Sequence, residues 1–435
     1  MNPDFFGSDV VRALLNYVFY YPFLAAYVWM AGGIAHALVF ERGRHRKVDP
    51  LPLLPERPLV SVIVPCFNEG ERVQEVIEQL MRSHYPNYEI IAVNDGSSDD
   101  TGAILDALAT RYGQLRVVHH ATNQGKAVAL NTAAVLANGE YILGVDGDAL
   151  VDPDAIAWML THMLHSERVG AVTGNPRIRG RTTLLGRMQV GEFSSNIGLI
   201  KRTQQLAGRL FTVSGVLSMF RRNALLDVDF WSPDVMTEDI DISWKLQLKD
   251  WRVRYEPRAL CWILMPETVR GLYRQRQRWA TGGIQTLLRY TGQVLKPRNF
   301  MMWPVFLEYL ASVVWAYAMF AVLILALVRR FLPPEWQYVG FWPEWHGMLL
   351  GITCMLQMGV SLWIDRHYDR DILRYLVWTI WYPLAFWMIN MFTTVVALPA
   401  TILRRKGKRA RWTSPDRGVI ANERSTASVR AIEHE

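Results

Sequence analysis

Two aspartates separated by one residue, Asp146 and Asp148, have the spacing in this sequence that most directly suggests chemistry. They lie in "VDGDALVDPDA" (145–155), directly after the apolar run "YILG" (141–144). On an extended chain, side chains at positions i and i+2 leave the same face, so both carboxylates would point together beyond a strand end. A divalent cation relieves their repulsion, and Mg²⁺ or Mn²⁺ prefers such hard oxygen ligands, usually together with a diphosphate. The pair therefore predicts a metal site, although the same spacing also occurs by chance in loops.

Strands and helices alternate in the region that contains this pair. Four apolar runs, "LVSVIVP" (59–65), "EIIAVND" (89–95), "LRVVHH" (115–120) and "EYILGVD" (140–146), are each separated from the next by a segment with helical spacing. This alternation predicts an α/β fold with a mainly parallel sheet and crossover helices, in which ligands bind beyond the carboxyl ends of the strands. The polar residues at or just past those ends are Asn68, Glu69, Asp95, Gly125, Lys126, Asp146 and Asp148.

The other strand ends suggest a nucleotide site. The first ends in "PCFNEGER", without the glycine-rich fingerprint of a nicotinamide-binding fold, and Asn68 and Glu69 there could also form a plain turn. Helix capping explains Ser97 to Asp99 but not Asp95, a carboxylate suited to accept from a base imide or a ribose hydroxyl. Lys126 opens a helix, where the backbone amides and the helix dipole favour an anion, although a lone lysine there is also a common surface charge.

A second acidic pair follows the strand series, in "DVMTEDIDISWKLQLKD" (234–250). The segment predicts a helix whose Ile240, Trp244 and Leu248 share one buried face. Acidic residues in a first turn can act only as partners of the helix dipole. A sugar transfer, however, also needs a carboxylate base for the attacking hydroxyl, and Glu238 and Asp239 are the candidates. We assign the base to Asp239.

The segment "PETVRGLYRQRQRWATGG" (266–283) predicts a basic, amphipathic helix at a membrane surface. Such a helix can serve membrane contact alone. In the alternative interpretation Gln275 and Arg278 contact a leaving diphosphate, while Trp279 presents an apolar platform to an acceptor sugar.

The composition indicates a membrane protein. Of 435 residues, 51% are hydrophobic and 20% are charged; three distant cysteines suggest neither a disulfide framework nor a zinc site. The net charge is +7, and the lysines and arginines cluster beside apolar segments. This placement favours lipid or phosphate over nucleic acid as the partner. The sequence divides into a spanning helix at 11–40, a basic and proline-rich linker at 41–58, a soluble α/β domain at 59–265, amphipathic interface helices at 266–297, an apolar spanning region at 301–403 and a basic tail at 404–435.

The topology of the apolar region is left open. The basic residues from Arg42 to Lys47 place their flank, and hence the soluble domain, in the cytoplasm. Three later spans would then leave the basic run 404–411 outside, against the positive-inside tendency. The last stretch, 372–403, contains Pro383 and Pro399 and is a candidate for a broken or re-entrant helix.

Together, "FNEG", Asp95, "DGD" (146–148), "TED" (237–239) and "QRQRW" (275–279) resemble the D, DxD, TED and QxxRW signatures of the processive family 2 glycosyltransferases, in the same order. Within that family, segments such as "TVSGVLSMFRRNAL" and the tail "RARWTSPDRGVI" are similar to the bacterial synthases of poly-β-1,6-N-acetylglucosamine. The likeness runs from about residue 23 to residue 420. It departs at Asn94, where many members have a second aspartate, so only Asp95 is carried over.

The resemblance implies a GT-A nucleotide-sugar-binding domain between transmembrane helices in a multi-pass protein of the bacterial inner membrane. It implies UDP-N-acetylglucosamine as the donor, Mg²⁺ or Mn²⁺ as the cofactor, and an inverting, processive synthesis of an exported biofilm polysaccharide. By this resemblance, Asp95 would contact the uridine, Asp146 the nucleotide and Asp148 the metal. Asp239 would remove the proton from the acceptor's primary hydroxyl. The acceptor and the diphosphate would be contacted by Gln275, Arg278 and Trp279. Relatives also work with a small membrane partner subunit and respond to cyclic di-GMP, which here would act at a subunit interface.

Three alternatives remain open from the sequence. The same machinery could make chitin, hyaluronan or cellulose. A lipid-linked monosaccharide transferase is a second alternative, which the QxxRW segment disfavours. The third is a membrane transporter or scaffold whose soluble domain only binds nucleotide.

Overall fold

The computed structural model describes residues 3–42, 49–70, 72–331 and 345–403. The predicted basic tail at 404–435 lies outside these residues, as do Arg44, Arg46 and Lys47 of the linker.

An eight-stranded sheet forms the centre of the soluble domain. Its strands are β1 (Val60–Cys66), β2 (Tyr88–Asn94), β3 (Leu115–His119), β4 (Tyr141–Val145), β5 (Leu150–Val151), β6 (Val169–Ile178), β7 (Leu217–Arg221) and β8 (Arg252–Ile263). The order is β3-β2-β1-β4-β7-β6-β8-β5. Strands β1 to β4 pair in parallel and confirm the four predicted strands, whereas β7 runs antiparallel to both β4 and β6.

The helices are α1 (Pro3–His36), α2 (Arg72–Leu80), α3 (Thr101–Arg111), α4 (Lys126–Leu136), α5 (Ala155–His165), α6 (Leu184–Phe193), α7 (Ile200–Leu206), α8 (Arg222–Asp227), α9 (Glu238–Leu248), α10 (Val269–Val294), α11 (Trp303–Val328), α12 (Trp345–Asp365) and α13 (Met388–Leu403). A π-helical segment, Ser194–Leu199, joins α6 to α7.

Helices cover both faces of the sheet, because strand residues of alternating direction enter two separate cores. In β1, Val62 and Val64 pack into the core that α2, α3 and α5 close, while Ile63 packs into the core that includes α4 and α9. A strand buried on both faces needs the continuous apolar run seen in its sequence. The mainly parallel α/β domain with flanking apolar helices is therefore confirmed.

Among the described residues, four helices are long and apolar enough to cross a membrane: Asp9–Glu41, Pro297–Val328, Trp345–Asp365 and Pro383–Leu403. The last predicted stretch is divided. A 3₁₀ helix, Ile372–Trp381, precedes Pro383, and a π-helical turn at Pro383–Trp387 leads into α13. The break coincides with a proline, which lacks the N–H that a continuous helix requires.

A buried ion network joins the first and third of these helices to the soluble domain. Asp365, at the end of α12, accepts from Arg177 of β6 (2.7 Å) and Arg202 of α7 (2.9 Å). Arg202 also donates to Glu41 at 2.7 Å, beyond the end of α1. Asp365 is completely buried and the arginine side chains are at most 2% exposed. Buried ion pairs thus connect the sheet to the membrane helices. Separating the two parts would leave buried charges without their partners.

Replacing Asp365 with Ala leaves two buried guanidinium groups without their shared partner, and we expect a loss of about 3–5 kcal/mol of stability. Thermal unfolding in detergent measures it. The exposed Asp9, 3.9 Å from Arg12, is the matched control, and Asp9→Ala should change stability by less than about 1 kcal/mol. Equal unfolding temperatures for Asp365→Ala and the wild type would contradict the connecting role.

Candidate active site

A cavity of about 450 Å³ lies at the carboxyl end of β4 and continues between α10, α11 and α13. Asp146 and Asp148 enter it from the loop after β4, and Gly215 from the loop before β7. The Asp146 N–H donates to the Val216 carbonyl at 3.3 Å, which fixes these two loops side by side. The sheet therefore brings the predicted metal pair to the edge where ligands bind in open α/β folds.

Lys126 connects the two acidic pairs across this cavity. Its Nζ lies 2.6 Å from Asp146 Oδ1 and 2.9 Å from Glu238 Oε1, and it donates to the Gly215 carbonyl at 3.2 Å. Burial alone would lower the pKa of Lys126, but the two carboxylates outweigh burial and raise it above its ordinary value. Lys126 is therefore a fixed cation beside the predicted metal pair, and the surface-charge interpretation does not apply.

The two acids that begin α9 have different environments. Burial would raise the pKa of Glu238, but its ion pair with Lys126 outweighs burial and lowers it. Burial raises the pKa of Asp239 to about 6, and the negative charge of Glu238 adds to the rise. Asp239 Oδ2 accepts from the Gly215 N–H at 3.3 Å, and its Oδ1 accepts from the Ile240 N–H at 2.9 Å. A carboxylate with a pKa near neutrality at a cavity wall is suited to act as a general base.

The predicted metal pair supplies hard oxygen donors, but not enough of them to hold an ion alone. Burial raises the pKa of Asp146, and Asp148 contributes to that rise through its own charge. In the described part of the chain, no three His, Cys, Asp or Glu side chains are grouped so that they could hold a metal ion. The donor set therefore fits Mg²⁺ or Mn²⁺ only when other oxygens, such as those of a diphosphate, complete the coordination.

Gln275, Arg278 and Trp279 project from α10 into the same cavity. Glycine at position 282 allows α10 to approach the start of α9: a Cβ there would lie 1.9 Å from Thr237 Oγ1, far inside van der Waals contact. The helix that contains "QRQRW" can therefore lie close to the "TED" segment because residue 282 has no side chain. A larger residue at position 282 would push the two segments apart.

Asn68, Glu69 and Asp95 do not line the cavity. Asp95 is completely buried; its Oδ1 accepts from the Gln124 N–H at 2.9 Å and its Oδ2 from the Gly125 N–H at 2.8 Å. The carboxylate thereby supports the turn before Lys126, in which Gly125 has φ 96°. The contact with uridine that the resemblance implies for Asp95 stays a prediction.

Asn68, at φ 54°, lies in the neighbouring turn, where its Oδ1 accepts from the Ser98 N–H at 2.9 Å. Three histidines, at positions 119, 120 and 162, also lie beside carboxylates. His120 lies 2.7 Å from Asp95, and His119 and His162 lie 3.0 Å and 2.8 Å from Asp106 and Glu256. These contacts join residues that are far apart in sequence, which spacing alone does not reveal.

Sequence reasoning missed Lys201, which lines the cavity from α7 although its residue is only 3% exposed. Its Nζ donates to Thr173 Oγ1 at 3.3 Å. Burial lowers the pKa of Lys201 to about 7, against the opposing effect of the Asp239 charge. The signal available in the sequence was a lysine and an arginine, 201 and 202, inside a mostly uncharged helical stretch.

Comparisons with known proteins agree with this architecture. Residues 61–228 match the family model "Glycosyl transferase family 2". The chain is 36% identical over 411 residues to a poly-β-1,6-N-acetyl-D-glucosamine synthase of Staphylococcus epidermidis. The aligned region covers 94% of this chain and 99% of the relative. It is 36% identical over 405 residues to the synthase of that name from Staphylococcus aureus strain COL, which covers 93% of this chain and 98% of the relative.

Among solved structures, a mannosyltransferase from Pyrobaculum calidifontis in complex with GDP-Man and Mn²⁺ is similar in fold. Its TM-score is 0.63 at 21% sequence identity, and the match covers 91% of this chain and 99% of that one. At this identity the likeness concerns the fold alone, and it extends through the helices that flank the sheet. With the curated relatives covered over nearly their whole length, the chain belongs to glycosyltransferase family 2.

Proposed function

We propose that this protein is a membrane-embedded, inverting and processive glycosyltransferase that polymerises N-acetylglucosamine from UDP-N-acetylglucosamine into poly-β-1,6-N-acetylglucosamine. The observation that carries the proposal is the Lys126 bridge between Asp146 and Glu238. Asp148 and Asp239, the neighbours of these two acids, line the same cavity, which supports one shared site for a metal and a base. The shared length and 36% identity with synthases of that polymer support the choice of donor and product.

In this reaction, Asp239 takes the proton of the acceptor's primary hydroxyl as its oxygen attacks the anomeric carbon of the donor sugar. The bond from that carbon to the diphosphate breaks, and UDP leaves with the electron pair. Asp148 and Asp146 would hold Mg²⁺ or Mn²⁺, which supplies Lewis-acid neutralisation of the departing diphosphate. Lys126 and Arg278 add fixed positive charge at the same cavity, so little reorganisation is needed when negative charge develops.

The membrane helices suit the handling of a growing chain. Besides the soluble residues, the cavity is lined by Ser312 of α11 and by Asn390, Thr393 and Thr394 of α13, polar side chains on helices long enough to span a bilayer. We propose that the polymer leaves along these helices from a catalytic domain on the cytoplasmic side of the bacterial inner membrane. A small membrane partner subunit and regulation by cyclic di-GMP remain predictions from the family resemblance.

The direct test is synthesis by the purified full chain in lipid vesicles with radiolabelled UDP-N-acetylglucosamine. We expect a polymer that a β-1,6-specific hydrolase degrades and chitinase does not. Asp239→Asn should lower synthesis by about 10²–10⁴-fold while UDP binding persists, because only the base is removed. A chitinase-sensitive product would refute the proposed polymer, and full synthesis by Asp239→Asn would refute the proposed base.

The rate should also depend on pH through Asp239, whose pKa is raised to about 6. The base works only when deprotonated, so the initial rate of UDP release should be constant above that pH. Below it, the rate should fall about tenfold per pH unit. Thermal unfolding at each pH separates this effect from acid denaturation. A rate that stays constant down to about pH 5 would exclude Asp239 as the titrating base.

Removal of divalent cations with EDTA should stop synthesis, and excess Mg²⁺ or Mn²⁺ should restore it. Asp148→Asn should weaken UDP binding in the presence of Mn²⁺ by at least about tenfold, roughly 1.4 kcal/mol, because one of the two carboxylate donors is lost. Calorimetry measures this. Undiminished synthesis in EDTA would contradict a metal-dependent donor site.

A further inference from the structure

A buried ion pair lies directly behind the tryptophan of the "QRQRW" segment. Arg276 of α10 donates from Nη2 to Glu192 Oε2 of α6 at 2.6 Å. The arginine side chain is 6% exposed and the glutamate side chain 1%. Neither residue belongs to the QxxRW signature or to the carboxylates assigned above, so the proposed chemistry leaves the pair unexplained.

A gain in stability does not account for the presence of this buried ion pair. Removing two charges from water costs about as much as their attraction returns, and two well-packed apolar residues would serve the fold equally well. What an ion pair does supply is direction, because the planar guanidinium must align with the carboxylate that accepts from it.

In this structure the oriented Arg276 guanidinium packs against an aromatic ring. The Arg276 Cζ lies 4.3 Å from the centre of the Trp279 ring, within the range of a cation–π contact. It also lies 5.7 Å from the centre of the Phe386 ring, in the π-helical turn that precedes α13. Arg276 and Trp279 both line the catalytic cavity. One guanidinium group therefore links the ring at the cavity wall to α6 and to the start of the last apolar helix.

We propose that Glu192 and Arg276 are positioning residues that orient the Trp279 ring for binding of the acceptor sugar. This inference rests on the proposed function, in which Trp279 is the platform for the acceptor. Glu192 fixes the guanidinium, and the guanidinium fixes the ring. The donor side of the cavity, formed by Lys126, Asp146 and Asp148, does not depend on this pair.

The fold contains a matched arrangement away from the cavity. Glu256, 1% exposed, accepts from Arg258 Nε at 2.7 Å, and the Arg258 Cζ lies 3.8 Å from the centre of the buried Trp158 ring. None of these three residues lines the cavity. Disrupting this second trio perturbs the core by similar chemistry without touching a substrate, which makes it a control for purely structural effects.

The experiment measures kinetics of the full chain in vesicles, with UDP-N-acetylglucosamine as the donor and a short soluble β-1,6-linked N-acetylglucosamine oligosaccharide as the acceptor. Glu192→Gln and Arg276→Met should each raise the acceptor KM about tenfold, equivalent to roughly 1.4 kcal/mol, while the donor KM changes less than about twofold. Glu256→Gln should lower the unfolding temperature and leave the acceptor KM unchanged.

Two further variants keep the inference falsifiable if a buried substitution prevents folding. Arg276→Lys keeps a cation near the ring but lacks the planar guanidinium, so it should recover only part of the acceptor affinity that Arg276→Met loses. The double variant of Glu192→Gln and Arg276→Met should be no worse than either single one, because the two residues act as one unit.

Equal losses of donor and acceptor affinity, or an unchanged acceptor KM in folded Arg276→Met, would overturn the inference. The wild type reports separately on the proposed function, because its failure to extend the oligosaccharide would refute that function whatever the variants do.

Discussion

The Lys126 ammonium lies between Asp146 and Glu238, and the rest of the site depends on this one contact. Four acids, Asp146, Asp148, Glu238 and Asp239, would otherwise repel one another around a largely buried cavity. The lysine neutralises one acid from each pair and thereby joins the end of β4 to the start of α9. The pKa of Asp239 stays raised, because burial and the charge of Glu238 outweigh the lowering effect of the Lys126 charge. Lys126 also adds a fixed positive charge to the lining of the cavity. Lys126 is thus paired with Asp146 and Glu238, whereas burial determines the raised pKa of Asp239.

The turn that carries Lys126 is supported by a carboxylate that does not line the cavity. Asp95 accepts from the backbone N–H groups of Gln124 and Gly125 and so shapes the turn that presents Lys126. Farther away, Asp365 ties β6 and α7 to a membrane helix through Arg177 and Arg202. A catalytic sheet next to a bilayer needs such connections, because its cavity is completed by residues of α10, α11 and α13. These connections are made by buried charges, which hold their hydrogen-bonding partners in a defined direction.

Much of this arrangement could be predicted from the sequence, because local patterns carried it. The β-branched runs predicted β1 to β4, and the strand ends identified Lys126, Asp146 and Asp148, while the first turn of a predicted helix supplied Asp239. Residues that act through distant contacts could not be found in this way. Glu192 meets Arg276 across 84 positions and His120 meets Asp95 across 25, and no periodicity relates such pairs. The antiparallel β7, which carries Gly215 to the cavity, likewise follows from tertiary pairing and not from the alternation of strands and helices.

The most direct measurement of the central claim is a cryo-EM map of the full chain in lipid nanodiscs with UDP and Mn²⁺. The account predicts density for the diphosphate and the ion inside the cavity, beside Asp148 and Lys126, with Asp239 on the wall of the same space. Nucleotide bound at any other surface, with this cavity empty, would contradict it.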